Sequence, residues 1–427
     1  MKLLILSDMF PSVATPGNGR FVAGQAVELA RRMDLTVLVP VVWPLSPRRW
    51  RERKDSWALA LPPDVALSPE HVRYLPYPGL PWRLDSLNVY LAYFAVRRAI
   101  RRLRLAPDII HCHPSYPAGY VGYLVAQRLG VPVVATLHGF DINVFAHSED
   151  YDKYSDDPAF PNLFYSPRTR RRVVTTLLHC DRVVSVSEEL RKKAEALGLL
   201  PNRAVVIRNG VDASQFYPTN TADARRKLRL PEQSHIILFV GTLTHRKGPL
   251  ILIEAARLLR DAGRPVHLVL LGDGDQRAEA QRLASRYGLG SSVYLPGPIT
   301  HSEIPLWMNA CDVLSLPTYY ESFGVVLLEA LACGKPIVTT RAGGIPDFVQ
   351  DGVHGDLVPP GDPSSLAQAI AQVLDRRWDR DALARYAHGL SWEKVASELE
   401  NVYIDILAKR QQGLTTRTWA VQRPRKG

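Results

Sequence analysis

Short β-branched apolar runs alternate with segments whose apolar residues recur every three or four positions. LLILS (3–7) reads as a strand, followed by a glycine-bearing loop and an amphipathic helix through Phe21, Ala26, Leu29 and Ala30. Strand DLTVLVPVV, a Pro- and Arg-rich stretch, a helix over 84–104, strand DIIHCH, a helix over 116–129 and strand VPVVATLH come next. A polar insertion, strand RVVSVS, a helix over 188–197 and strand AVVIRNG complete this half. Such alternation predicts parallel sheets with helices on both faces.

The pattern then restarts. HIILFVG, VHLVLLG, SVYLPG, DVLSLP and PIVTT read as strands, separated by helices over 249–262, 276–287, 302–310 and 324–332. A second opening strand with its own glycine loop predicts a second doubly wound unit. The expected division is 1–211, 212–391, an amphipathic helix over 392–410 opened by Ser391, and a flexible basic tail over 411–427.

A length of 427 residues suits two domains, and 46% hydrophobic with 22% charged residues excludes disordered and fibrous classes. Cys112, Cys180, Cys311 and Cys333 form no CxxC pair, which argues against structural zinc and a disulfide framework. The apolar start stops at Asp8, too short for a signal peptide, and no run reaches membrane-span length. A cytoplasmic location is expected. The net charge of +11 suits an anionic partner. No aromatic-interleaved or helix-turn-helix signature accompanies it, so nucleic acid is not the expected partner. An anionic membrane surface or solvated arginine faces remain as readings.

Ligands of open parallel sheets bind beyond the carboxyl ends of strands. In the second half those positions are GTLTHRKG (241–248), GDGD (272–275), PGPIT (296–300), PTYYESFG (317–324) and TRAGGIP (340–346). Glycines admit close backbone approach, helix starts favour anions, and Lys247 lies on the same rim. A phosphate-bearing ligand is implied. Neither a GxxxxGK[ST] loop nor, after the first strand, a GxGxxG is present.

ESFGVVLLEALACGKPIV sets Glu321 before a helix start and Glu329 two turns into it, about 12 Å apart at helical rise. Paired glycosidase carboxyls stand closer, at about 5–9.5 Å. Two carboxylates so spaced grip two parts of one long ligand, or are ordinary helix glutamates.

The run resembles the Glu-x7-Glu signature of the family 4 glycosyltransferases, which have the GT-B fold: two Rossmann-like, doubly wound α/β domains facing across a cleft. IRNGVD, FVGTLTHRKG, LLGDGD and DGVHGDLVPPGD occur in that family's order. GNGRFV and HGFDIN look like the branch that builds bacterial cell-surface polysaccharides. The resemblance implies a retaining transferase moving a hexose-type sugar from a UDP- or GDP-linked donor to a hydroxyl acceptor, commonly a lipid-linked glycan, without metal or further cofactor. It implies that Glu321 faces the donor sugar, Glu329 the ribose, and Lys247 the diphosphate, held also by backbone at Phe323, Gly324 and Val325. Gly17 and Gly19 would close over the phosphates, His138 would cover the sugar, and Ile299 would meet the base. Many relatives carry an arginine where this chain has Thr242; Arg246 is the candidate substitute. His111 and His113 share an HxH spacing without a third metal ligand, which favours acceptor recognition or loop structure. The other readings are a GT-B epimerase or phosphorylase, and a non-catalytic nucleotide-sugar binder.

In the helix over 84–104, Arg97, Arg101 and Arg104 share one face, beside Leu91, Phe94, Ile100 and Leu103. Trp43, Trp50, Trp57 and Trp82 interleave with arginine and proline nearby. Aromatic and basic residues together suit anionic lipid headgroups.

Overall fold

The computed structural model describes residues 1–44, 59–80, 85–143 and 167–413. In the first part of the chain the strands are β1 (Lys2–Ser7), β2 (Asp34–Pro44), β3 (Val72–Gly79), β4 (Ile109–His113), β5 (Val133–Leu137), β6 (Arg182–Ser185) and β7 (Ala204–Val206). They form one parallel sheet ordered β3-β2-β1-β4-β5-β6-β7. The second sheet, β10-β9-β8-β11-β12-β13, comprises β8 (His235–Val240), β9 (Val266–Leu271), β10 (Val293–Gly297), β11 (Val313–Leu316), β12 (Ile337–Thr340) and β13 (Gly355–Val358). Both orders reverse once, between β1 and β4 and between β8 and β11, so each sheet opens a crevice at those strand ends.

Helices cover both faces. Those that position the site are α1 (Arg20–Ala30), α2 (Asp85–Arg102), α3 (Tyr120–Leu129), α4 (Pro167–His179), α5 (Glu188–Ala196), α6 (Val325–Ala332) and α7 (Trp392–Gln411). Strands such as β4, β5, β11 and β12 are buried at every position, as strands covered on both faces must be. Helix α7 follows the second sheet in the chain yet completes the core of the first. Its Leu399, Tyr403 and Ile406 pack with Ile5, Val22, Ala26 and Ile109, and Arg182 holds Asp405 at 2.8 Å. Each Leu, Ile or Val side chain among them removed from water stabilises by about 1.5–3 kcal/mol.

Three expectations need correction. The Pro- and Arg-rich stretch contains β3, paired with β2 from Val37↔Val72 to Pro44↔Gly79. Pro76 and Pro78 are tolerated because β3 is an edge strand. The helix expected over 116–129 begins at Tyr120, because Tyr116 precedes Pro117 and is extended, at φ −151° and ψ 137°. The helix expected over 84–104 ends at Arg102, and Arg104 has a positive φ of 52°. Arg104 therefore leaves the face that carries Arg97 and Arg101. Trp50, Trp57 and Trp82 lie outside the described residues, as does the tail beyond 413.

Candidate functional site

Two loops of the second sheet form the floor. After β8, His245–Lys247 makes a single 3-10 turn; after β11 the chain runs through 317–324 to α6. The loops are stitched together: the Tyr319 N–H and the Thr318 hydroxyl donate to the Arg246 carbonyl at 2.8 and 2.9 Å. This brings the Lys247 ammonium onto the Glu321 carboxylate, with 15% and 14% of their side chains exposed.

Burial alone would raise the Glu321 carboxyl. The charges of Lys247 and Arg246 and hydrogen bonds from Lys247 and the Ser322 N–H outweigh it, so the group sits below the ordinary carboxylate range. Glu321 is therefore a carboxylate at neutral pH. Arg246 donates to the Tyr320 carbonyl at 3.2 Å, next to Glu321, whereas Thr242 is exposed.

Helix α6 starts at Gly324, whose φ of 87° turns the chain into the helix, and Phe323 anchors the turn by stacking on Phe348 at 4.4 Å. The first N–H groups of a helix have no intrahelical acceptor and attract anions. Because the helix begins at Val325, Glu329 lies one turn into it, not two. Its carboxylate meets His301 Nε2 at 3.1 Å, and Phe216 packs edge-on to His301 at 5.4 Å. Ile299, half-buried, precedes the Thr300–Glu303 capping box.

A cavity of about 630 Å³ runs from Val325, Glu329 and His301 past Asp212–Phe216 to Arg20, Phe21 and Gly24 of α1. Lys247 and Glu321 are not among its lining residues.

The first sheet supplies the roof. Gly19 caps α1 at φ 65°, and a Cβ there would fall 2.2 Å from the Met9 carbonyl oxygen, so only glycine fits. Gly17 has open space around it. His138 follows β5, buried to 9% exposure, with Phe21 at 4.4 Å ring separation. Asp141 organises that loop, accepting from the Ser115 N–H and hydroxyl at 2.7 and 2.6 Å and from the Gly139 N–H at 3.1 Å.

The two halves touch beside Glu321. A Cβ on Gly139 would fall 1.7 Å from Ser322 Oγ. The Tyr320 hydroxyl reaches Asn143 Oδ1 at 2.9 Å and Glu189 at 3.0 Å, with the Lys193 ammonium 4.6 Å from its ring centre. Asp347 accepts from the Glu188 N–H at 2.5 Å. Sequence reasoning missed Tyr320, Asn143, Glu189, Lys193 and His301. Tyr320 stands in the PTYYESFG loop, Asn143 ends HGFDIN and His301 follows Ile299 by two residues; these were the signals that could have drawn notice. Arg97 and Arg101 belong to α2, outside these loops. Among the described residues, no three or more His, Cys, Asp or Glu side chains are placed to hold a metal ion.

Residues 17–215 match the family model described as Glycosyltransferase Family 4, and residues 220–389 the model described as Glycosyl transferases group 1. The D-inositol 3-phosphate glycosyltransferase of Thermomonospora curvata is 33% identical over 316 residues, covering 69% of this chain and 71% of that one. Among solved structures, Anabaena HepE in complex with UDP aligns with a TM-score of 0.69 at 21% identity, covering 95% of this chain and 100% of that one. Sucrose-phosphate synthase of Thermosynechococcus elongatus aligns with a TM-score of 0.73 at 24% identity, covering 96% and 100%.

Proposed function

The chain belongs to the family 4 glycosyltransferases, with their GT-B fold, and on that premise we propose that it moves a hexose from a UDP- or GDP-linked sugar to a hydroxyl acceptor with retention. The observation that carries this reading is the Lys247–Glu321 pair beside the open start of α6, with Glu329 one turn further on the cavity wall. The diphosphate lies against Lys247 and the N–H groups after Gly324, the ribose against Glu329, and the sugar between Glu321 and His138. Gly17 and Gly19 close over the phosphates, and Ile299 borders the base.

In the reaction the bond from the anomeric carbon to the diphosphate breaks. The acceptor oxygen bonds to that carbon on the same face and passes its proton to a phosphate oxygen. Negative charge grows on the leaving diphosphate, where Lys247, Arg246 and the fixed N–H donors stabilise it; such preorganised groups are worth several kcal/mol. Charge neutralised in this way needs no metal. HepE carries UDP in its structure, and the Thermomonospora relative is named for a phosphorylated cyclitol. Both support a nucleotide donor and a polar hydroxyl acceptor.

The acceptor reading rests on α2, where Leu87, Tyr90 and Phe94, 45, 39 and 59% exposed, recur at i, i+3 and i+7 and continue into Arg97 and Arg101. An apolar stripe that becomes basic suits an anionic bilayer. The acceptor is then a lipid-linked glycan at the cytoplasmic membrane face. Melting the protein with UDP, GDP and ADP in turn tests the donor reading, because a ligand bound only by the folded state raises the melting temperature. One diphosphate should stabilise clearly. Indifference to all three contradicts a nucleotide site.

A further inference from the structure

Behind the candidate site stands a buried pair of imidazoles. His113 ends β4 and His138 follows β5, its hydrogen-bonded neighbour in the sheet. His113 Nδ1 lies 3.0 Å from His138 Nε2, and the two rings stack with centroids 5.2 Å apart. His113 is fully buried. His111, one pleat back, uses both of its nitrogens elsewhere: Nδ1 on the Tyr403 hydroxyl at 2.6 Å and Nε2 on Thr136 Oγ1 at 2.7 Å. It has none left for His113. The Nε2 of His113 is buried and has no hydrogen-bond partner among the described residues.

Burial disfavours the imidazolium in both rings, pushing His113 down to about 3 and His138 well below the ordinary histidine range. A neutral imidazole has one N–H and one lone pair, so two arrangements can make the 3.0 Å bond. In one, His113 Nδ1–H donates, His138 Nε2 accepts, and His113 Nε2 is a bare lone pair. In the other, His138 Nε2–H donates and the His113 proton sits on Nε2, as a buried N–H with no acceptor. Orphaned buried N–H groups are the rarer and costlier defect. The first arrangement prevails.

We infer that His113 is a positioning residue that holds His138 as its Nδ1–H tautomer, so that His138 offers the sugar a hydrogen-bond donor and not a base. The inference rests on the proposed contact between His138 and the donor sugar. With Nε2 occupied by His113, Nδ1 is the nitrogen left to meet that substrate. A protonated Nδ1 donates to a sugar oxygen and cannot take the acceptor's proton. This agrees with the proton passing to the donor phosphate.

Nitrogen NMR of the full chain, labelled with ¹⁵N-histidine and assigned by loss of the His138 signals in His138→Ala, reads the tautomer. The expected spectrum has a pyrrole-type Nδ1 and a pyridine-type Nε2 for His138; a protonated Nε2 overturns the inference. In turnover of the nucleotide sugar, His113→Leu should lose about tenfold, the worth of one hydrogen bond. His113→Asn, whose amide nitrogen falls where Nδ1 stood, should restore most of it. If His113→Leu does not fold, the wild-type spectrum and the Asn variant still decide. Wild-type turnover in His138→Ala would remove the sugar contact while leaving the tautomer to its spectrum. Impaired His138→Ala beside an unaffected His113→Leu would overturn the inference itself.

Discussion

Lys247→Ala should weaken nucleoside diphosphate binding and slow transfer together, because in the proposed function one ammonium serves the bound phosphate and the leaving group. A charge-assisted contact of this kind is worth about 1.5–3 kcal/mol, so calorimetry should read roughly a ten- to hundredfold loss of affinity. Unchanged affinity would move the role to Arg246, whose guanidinium already reaches the Tyr320 carbonyl. Asp8 presents a different residue-scale test. Burial pushes its carboxyl up to about 7, and its Oδ1 has no partner among the described residues. The folded chain therefore keeps a proton on Asp8 that the unfolded chain, titrating near 4, gives up. The associated stability is full below about pH 4 and lost as pH rises through about 7. Asp8→Asn should thus gain melting temperature relative to wild type as pH goes from about 4 to about 8. A difference that does not change over that range would show that Asp8 is ordinarily solvated.

Helix α2 sets the element-scale prediction. Its exposed Leu87, Tyr90 and Phe94 lead into Arg97 and Arg101, and Arg172 of α4 lies 5.4 Å from the Tyr90 ring, bringing a second arginine-rich helix alongside. Each basic residue near an anionic bilayer contributes about 1 kcal/mol, so vesicles containing anionic lipid should sediment the protein at low salt and release it at high salt. A Phe94→Ala, Arg97→Ala, Arg101→Ala variant should bind clearly less. Absent binding, or binding indifferent to lipid charge, contradicts the docking face. Elements were legible where burial on both faces leaves unbroken apolar runs, as in β1, β8 and β11. They were obscured where proline interrupts the pattern: β3 carries Pro76 and Pro78, and the turn before α3 carries Pro114 and Pro117. The helix expected over 324–332 starts at Val325 after its Gly324 cap, so its start was legible, but Glu329 lies one turn into it and not two.

At the scale of the whole molecule, the loops of the candidate site could be read from the chain because ligands collect beyond strand ends. The contacts that assemble them could not. Lys247 with Glu321, His113 with His138, Gly139 with Ser322, and Tyr320 with Asn143 and Glu189 join residues distant in sequence, and none has a local signature. They follow from two sheets, each open at its own order reversal, facing one another while α7 returns to the first. In the proposed function this shared cleft cleaves a nucleotide sugar beside Glu321. Release of nucleoside diphosphate from the stabilising UDP- or GDP-sugar, followed for wild type and Glu321→Gln with nucleotide affinity measured on the same preparations, tests that cleavage. Preorganised charge next to a reacting centre is worth roughly a hundredfold in turnover, so the variant should slow by at least about that factor while its nucleotide affinity stays nearly intact. Equal turnover in the two proteins would contradict a role for Glu321 at the reacting sugar.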